Sequence, residues 1–204
     1  MMLTLHFCSN SRAQRVLWLL EELKLSYKLN KIKFHPSELK SEEHRKRHPL
    51  GRVPVLEDND VTIYESGAII EYIIAKYDNR GLKPDVEDKL FPDYLQWYHY
   101  CEGMVMPPMN TIVVHTLILP PDRRDPEVLR QAQNLLAKSI RPVDSILEKN
   151  KFLIRDEISG VDFMLGHALF MAFNLKCVSE EMENILRYLD FIKSLESFQK
   201  AINS

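Results

Sequence analysis

Stretches of alternating apolar and polar residues in the first 80 residues are interleaved with apolar stripes at helical spacing. In chain order these patterns predict strand, helix, strand, a polar helix or irregular turn, strand, strand and helix. A mixed sheet of four strands with helices on both faces satisfies this order. The stretches concerned are 3–7, 16–23, 26–34, 36–46, 52–57, 61–64 and 69–77.

The rest of the chain carries helical patterns only. The helices are predicted at about 90–106, 126–148, 161–176, 180–191 and 194–202. We therefore predict an N-terminal domain of residues 1–79, a linker of residues 80–87 and an all-helical domain of residues 88–204. Because so small an N-terminal domain buries little surface alone, we expect it to pack on the helical domain and leave a cleft for a ligand.

Charge and composition exclude several classes of protein. The 204 residues include 27 Lys and Arg against 29 Asp and Glu, so no basic excess indicates nucleic-acid binding. No apolar run reaches the roughly 18 residues that a membrane span needs, and the first residues do not resemble a signal peptide. Cys8, Cys101 and Cys177 are odd in number and far apart, which favours reduced thiols over a disulfide framework or a zinc site. We expect a cytoplasmic protein that holds no metal.

Two short motifs combine residues that suit a peptide-like anion. If the Val53-Pro54 bond is cis, the Val53 main chain is exposed to a ligand, as when a strand is added to a sheet. The alternative is an ordinary trans proline at a sheet edge. Glu65 and Ser66 precede a predicted helix, whose free N–H groups bind carboxylates. The alternative is that Ser66 only caps this helix.

A third motif, Ser9-Asn10-Ser11, lies between the first strand and the first helix. A hydroxyl or amide there could donate a hydrogen bond to an anionic sulfur, and the helix dipole would lower the pKa of that thiol. Alternatively, Ser11 only caps the helix. Cys8 has no second thiol close by in the sequence, so we interpret it as a buried strand residue.

Longer runs of the sequence resemble one known family. His48-Pro49-Leu50-Gly51-Arg52-Val53-Pro54-Val55-Leu56 and Tyr64-Glu65-Ser66-Gly67-Ala68-Ile69-Ile70 are similar to the glutathione-binding signature of the cytosolic glutathione transferases. The resemblance extends to the run from Ser11 to Leu20 and to Ser159-Gly160-Val161-Asp162, which is similar to the capping box of a buried helix. Tyr100-Cys101-Glu102-Gly103 and Met106-Pro107-Pro108 resemble the bacterial and fungal transferases of the type first seen in yeast.

This resemblance implies a thioredoxin-like N-terminal domain, an all-α C-terminal domain, a homodimer and glutathione as co-substrate. It implies a cis bond before Pro54 and main-chain binding of the cysteinyl part of glutathione by Val53. It also implies that Glu65 and Ser66 hold the γ-glutamyl end. Arg52, together with His48 or Lys40, is expected to face the glycine carboxylate.

The catalytic position departs from the tyrosine-type members, because His6-Phe7-Cys8 stands where those enzymes carry tyrosine. Counting back from Arg15, the serine-type pattern favours Ser11 as the hydroxyl that activates the thiol. Asn10 and Ser9 remain alternatives. Asp162 is expected to support folding only.

The second substrate is expected to be a small apolar electrophile, as in detoxification. The candidate lining residues lie on the first long helix, which Pro107-Pro108 should interrupt. They are Tyr98, Cys101, Glu102, Met104, Val105 and Met109. Alternatively, these side chains are helix core. The main hypothesis is a glutathione transferase with conjugating or peroxidase activity. The alternatives are a glutathione-dependent disulfide or peroxide reductase and a non-catalytic binding or regulatory protein.

Overall fold

A computed structural model of the chain describes residues 3–204, which divide into two compact units. The first unit runs to Leu82 and also takes in Ile192–Ser204, and the second is Lys83–Phe191. This division differs from the boundaries expected from sequence, which assign all of residues 88–204 to the helical domain. The difference arises because the last helix packs on the first helix of the chain.

The first unit contains the predicted mixed sheet of four strands. Its strands are β1 (Leu3–Phe7), β2 (Tyr27–Lys31), β3 (Val55–Asp58) and β4 (Val61–Tyr64). The spatial order is β2-β1-β3-β4, with β1 parallel to β2 and antiparallel to β3, and β3 antiparallel to β4. The fold-class prediction is therefore confirmed, although β2 is shorter than the alternation over residues 26–34 indicated.

The helices of the described residues follow the prediction in part: two short helices stand where one polar helix or irregular turn was predicted at 36–46, and a helix at 106–113 lies where none was predicted. The helices are α1 (Ala13–Glu22), α2 (Pro36–Leu39), α3 (Glu42–Arg47), α4 (Ser66–Tyr77), α5 (Phe91–Tyr100), α6 (Met106–Val113), α7 (Pro126–Leu147), α8 (His167–Asn174), α9 (Glu183–Ser194) and α10 (Glu196–Ile202). None of them is long and apolar enough to cross a membrane. The side chain of Asp125 accepts hydrogen bonds from the first N–H groups of α7, as the Asp125-Pro126 pair indicated.

Helix α1 is the core of the first unit. Its apolar stripe is fully buried, and the Trp18 ring packs edge-on against Phe198 of α10 with centroids 4.7 Å apart. Ser197, also on α10, donates a hydrogen bond to Glu22 at 2.6 Å. Because α10 covers α1 in this way, it completes the hydrophobic core of the unit that carries the sheet.

In the second unit, α5 and α6 are joined by a π-helical turn, Cys101–Val105. The N–H of Met106 bonds to the carbonyl of Cys101, five residues back. Pro107 and Pro108 follow directly, and neither has an N–H with which to continue the α-helical pattern. The interruption expected at these prolines is therefore present, and it precedes them.

Asp162 organises the interior of the second unit. Its carboxylate accepts from the N–H and hydroxyl of Ser159 at 2.8 and 2.9 Å, from the N–H of Leu153 at 3.1 Å and from the Tyr188 hydroxyl at 2.9 Å. Burial raises the pKa of this carboxyl to about 6, against the hydrogen bonds that lower it. The bond from the Ser159 N–H to the carboxylate is one half of the expected capping box, whereas the Asp162 N–H bonds to the Ser159 carbonyl instead of the Ser159 hydroxyl. These buried contacts support the fold of the second unit.

Asp58 joins the β3–β4 hairpin to α4. The buried carboxylate accepts from Tyr72 at 2.8 Å and from Lys76 and Tyr77 at 2.6 Å each. Burial alone would raise the pKa of Asp58, but the hydrogen bonds from Lys76, Tyr77 and Tyr72 lower it to about 2. Asp58 therefore stays ionised in the folded protein through most of the acid range.

We predict that Asp58→Asn lowers the free energy of unfolding by about 1–3 kcal/mol at pH 7, because charge-assisted hydrogen bonds to a buried carboxylate are lost. In the parent, this contribution falls as the pH is lowered from about 4 to about 2. The carboxyl binds a proton near pH 4 in the unfolded chain but only near pH 2 in the folded protein. Chemical denaturation from pH 7 to 2 measures both effects. Asp60→Asn, an exposed change in the same turn, is the control. Equal loss in both variants would contradict the prediction.

Candidate active site

Three loops meet at one end of the sheet. His6 of β1 pairs with Val55 of β3, and Val55 pairs in turn with Tyr64 of β4. The loop that leaves β1, the turn that enters β3 and the turn that leaves β4 therefore lie side by side. A pocket opens in the first unit among these loops. It is lined by Arg12, His48, Arg52, Val53, Pro54, Glu65 and Ser66.

The Val53-Pro54 bond is cis, as the family resemblance implied. Val53 is half-buried, Pro54 is buried, and both line the pocket. A ligand in the pocket would contact Val53, the residue before the cis bond. Its main-chain groups suit a peptide-like ligand, because they offer the donor and acceptor that a strand offers its neighbour.

Ser66 does not cap α4 as the sequence suggested. It is the first residue of the helix, and Glu65, with a φ of 74°, occupies the cap position without a side-chain cap bond. The Ser66 hydroxyl instead accepts a hydrogen bond from the buried guanidinium of Arg15 at 3.2 Å. This contact leaves the Ser66 proton available to an anion at the start of the helix, where free N–H groups already favour negative charge.

His48 lines the pocket, and its surroundings disfavour the charged form of the ring. Burial lowers the pKa of its imidazole below the ordinary 6.5, although the nearby Glu65 carboxylate raises it. Its Nδ1 accepts the N–H of Leu50 at 3.2 Å, and the ring lies against Tyr64 with centroids 4.6 Å apart. The lowered pKa disfavours the charged form of the ring, and with Nδ1 accepting from Leu50, the neutral imidazole has its proton on Nε2, where it can donate to a carboxylate.

Lys40, the other basic residue expected here, is not among the residues that line the pocket. Its ammonium donates to the carbonyl of Leu50 and, at 3.2 Å, to that of Gly51. Gly51 has a φ of 55°, and a Cβ at this position would collide with the carbonyl oxygen of Leu39. Lys40 and Gly51 therefore shape the turn that leads to Val53.

The three residues proposed from sequence as thiol activators differ in their hydrogen bonds. Ser9 donates to the main-chain oxygen of Ser204 at 2.8 Å. Ser11 donates to the carbonyl of Cys8 at 2.6 Å and accepts the N–H of Ala13, the first residue of α1, at 3.1 Å, while Arg12 occupies the cap position of that helix. Asn10 is exposed, has a φ of 56° and makes no side-chain hydrogen bond to another described residue.

The cysteine thiols do not offer an alternative nucleophile in this loop. Cys8 is buried at the end of β1, and burial, followed by the charge of Glu38, raises the pKa of its thiol. A raised pKa keeps the thiol protonated and unreactive near pH 7. Within residues 3–204 the structure groups no three His, Cys, Asp or Glu side chains that could hold a metal ion.

Most of the residues expected to line a pocket for a second substrate are core residues. Tyr98, Cys101, Val105 and Met109 expose at most 3% of their surface, so they offer an electrophile almost no contact area. The helical spacing that suggested a pocket is the spacing of a buried helix face. Glu102 and Met104 are exposed, and Met104 leaves 48% of its surface in solvent.

Arg12 and Arg15 are the site residues that the sequence interpretation missed. Arg12 lines the pocket, and Arg15 is fully buried behind Ser66. Arg15 stands next to the apolar stripe of α1, between Gln14 and Val16, and a charged residue in the buried part of a helix is unusual unless it is paired. The position of Arg15 in the sequence could therefore have indicated a buried and paired guanidinium.

We predict that the ring signals of His48 titrate with a midpoint below 6.5, because the buried imidazole resists protonation. Below about pH 6.5 the unfolded chain binds a proton that the folded site excludes, so this group reduces stability as the medium is acidified. Two-dimensional NMR over pH 4–8 measures the midpoint, with His48→Asn used to assign the signals. A midpoint at or above 6.5 would contradict the neutral ring.

Comparisons with known proteins match both parts of the chain. The family described as glutathione S-transferase, N-terminal domain, matches residues 2–75, and its C-terminal domain matches residues 105–196. Glutathione S-transferase 1 of Saccharomyces cerevisiae is 29% identical, covering 95% of this chain and 91% of the relative. Glutathione S-transferase hmp2 of Hypomyces subiculosus is 32% identical and covers 92% of each chain.

Solved structures agree with this assignment. A glutathione S-transferase from Actinobacillus pleuropneumoniae is 27% identical with a TM-score of 0.81, covering 99% of this chain and 92% of that one. Poplar glutathione transferase F1 is 25% identical with a TM-score of 0.86, covering 100% and 97%. The matches span both domains and include the strands, helices and loops that form the pocket. This chain therefore belongs to the glutathione S-transferase family and is a glutathione transferase.

Proposed function

We propose that the protein binds glutathione in the pocket of the first unit and presents it as a thiolate to a small apolar electrophile. The observation that carries this proposal is the composition of the pocket. It combines Val53 before the cis bond, Ser66 at the start of α4, and two arginines, Arg12 and Arg52. These groups match a tripeptide with a carboxylate at each end.

Each part of glutathione has a partner in this proposal. The γ-glutamyl carboxylate binds the N-terminus of α4 and the Ser66 hydroxyl, while Glu65 accepts from the γ-glutamyl ammonium. The cysteinyl part pairs with the main chain of Val53. Arg52 faces the glycine carboxylate, with His48 as a neutral donor.

Thiol activation is assigned to the loop between β1 and α1. A free thiol has a pKa of about 8.5, and lowering it by about two units requires about 2.7 kcal/mol of selective stabilisation of the thiolate. A hydrogen-bond donor together with a helix N-terminus supplies an effect of this size. Asn10 is the favoured donor, since its amide is uncommitted, whereas Ser11 would have to release the Cys8 carbonyl.

The alternative reductase reaction would use glutathione thiolate on a peroxide or a disulfide. The same uncommitted amide of Asn10 supports it, because a thiolate can attack sulfur or oxygen as well as carbon. The raised pKa of Cys8 makes a thiol of the protein itself an unfavourable nucleophile. Whether the enzyme conjugates or reduces therefore depends on whether an electrophile, a peroxide or a disulfide reaches the thiolate.

We predict that glutathione bound to the parent protein shows thiolate absorbance in the ultraviolet well below pH 8.5, because the loop stabilises the anion. Asn10→Ala should return the midpoint toward that of the free thiol and reduce kcat at neutral pH by about tenfold or more, while glutathione binding persists. Ser11→Ala is the matched comparison in the same loop, and Ser9→Ala controls for disturbance of the loop alone.

The pattern across these three variants decides the assignment. A loss of thiolate confined to Ser11→Ala would transfer the role to the hydroxyl. Unchanged thiolate in all three would contradict activation by this loop. Binding without a shifted midpoint, and without turnover of electrophiles or peroxides, would instead support a non-catalytic binding protein.

We further propose a cytoplasmic homodimer, on the strength of family membership and of exposed apolar residues on the edge strand β4. Val61 and Tyr64 expose 39% and 40% of their surface there. Sedimentation equilibrium should give about twice the chain mass of 24.0 kDa. Val61→Lys should shift the equilibrium toward the monomer, because it places charge in an apolar contact. A parent mass of one chain would contradict the dimer.

A further inference from the structure

Recognition by the Val53 main chain depends on the direction of its N–H and C=O groups. No side-chain substitution at Val53 removes these groups, so their direction is controlled by whatever holds the neighbouring main chain. The segment that leads into Val53 is residues 50–52, which we call the approach segment. The importance of this segment for binding rests on the proposed binding of glutathione.

Three side chains from α3 and its flanks hold the approach segment. Lys40 donates to the carbonyl of Leu50, and His48 accepts the N–H of the same residue at 3.2 Å. His44, on α3, makes the third contact: its Nε2 lies 2.9 Å from the carbonyl oxygen of Arg52. His44 therefore holds the residue directly before Val53.

The contact with Arg52 fixes Val53 through the geometry of the peptide bond. The carbonyl of Arg52 and the N–H of Val53 belong to one planar peptide unit. This unit is trans, since the cis bond of the described residues is the next one along the chain. In a trans unit the C=O and N–H point in opposite directions, so holding the Arg52 oxygen sets the direction of the Val53 N–H.

Among the described residues, the contact with Arg52 is the one hydrogen bond that the His44 imidazole forms. The residue is 2% exposed and is not among the residues that line the pocket. Since a carbonyl oxygen can only accept, Nε2 carries the proton and donates it to Arg52. Nδ1 is buried and forms no hydrogen bond with the described residues, an arrangement that costs free energy. An apolar ring would avoid that cost but could not hold Arg52.

We propose that His44 is a positioning residue for glutathione: it aims the Val53 N–H at the carbonyl of the cysteinyl part without touching the ligand. The side chain acts on affinity through one peptide unit. The bond-making step at sulfur lies with the loop between β1 and α1. Its loss should therefore raise KM for glutathione and leave kcat at saturating glutathione nearly unchanged.

The test compares His44→Phe with His44→Gln. Phenylalanine keeps a ring in the buried position and removes the donor, whereas the amide nitrogen of glutamine can occupy the place of Nε2. In His44→Phe we expect KM for glutathione to rise about three- to tenfold, the effect of one lost hydrogen bond, with kcat within about twofold of the parent. His44→Gln should restore KM.

His6→Phe is the matched control for placing a phenyl ring in this layer. The His6 ring centroid lies 6.1 Å from that of His44, and its nitrogens contact Glu57 and Asn30 at 2.8 Å each. It makes no hydrogen bond to the approach segment. We expect a lower melting temperature for His6→Phe but a KM like that of the parent. An equal rise of KM in both phenylalanine variants would assign the effect to packing and overturn the proposal.

A measurement without glutathione separates this inference from the proposed function. In the free protein, the ¹H–¹⁵N signal of Val53 should move in His44→Phe and stay near its parent position in His44→Gln. An unmoved signal in His44→Phe would overturn the positioning role, whatever the kinetics. A parent that fails to bind glutathione in calorimetry would contradict the proposed function and with it the role toward this ligand, even if the Val53 signal moves as expected.

Discussion

The pairing of β1, β3 and β4 determines where the site lies. His6, Val55 and Tyr64 are consecutive partners across β1, β3 and β4, and each lies within two residues of a loop that contributes to the site. One ladder of main-chain hydrogen bonds therefore gathers parts of the chain that are about 50 residues apart in sequence. A shift of register by one residue would move these loops apart and turn the buried faces of the strands toward solvent.

The elements and the ligand-binding motifs follow from local signals in the sequence. Alternation predicted the strands, helical spacing predicted α1 and α4, and the order of motifs around Val53-Pro54 and Glu65-Ser66 indicated the family. These signals are local because a strand, a cap or a turn depends on residues close in the chain. The partners of Ser66 and the charge of His48 do not follow in this way. They depend on burial and on contacts with Arg15 and Leu50, which only tertiary structure brings together.

In the helical unit, too, burial could not be predicted from the sequence pattern. A methionine and aromatic stripe on α5 and the following turn has the composition of an adaptable pocket, yet Tyr98, Cys101 and Met109 are buried. Periodicity identifies the apolar face of a helix but not whether protein or ligand covers that face. The π-helical turn before Pro107 could not be predicted either. The prolines lack N–H groups, which shows that the α-helical pattern must change but not which other pattern replaces it.

The positive charge of the pocket comes from groups that do not titrate near neutral pH. Arg12 and Arg52 bring guanidinium groups, which are cationic near neutral pH, whereas burial lowers the pKa of His48, and Lys40 donates to main-chain carbonyls. In the proposed complex, the attraction of a carboxylate then varies little with pH around 7, and the thiol of glutathione is the group whose ionisation sets the pH dependence of turnover. His44 and His48 instead form hydrogen bonds with the main chain of the segment that leads into Val53. If His44 positions Val53 as proposed, a substitution at this buried residue changes the affinity for glutathione without altering a ligand contact.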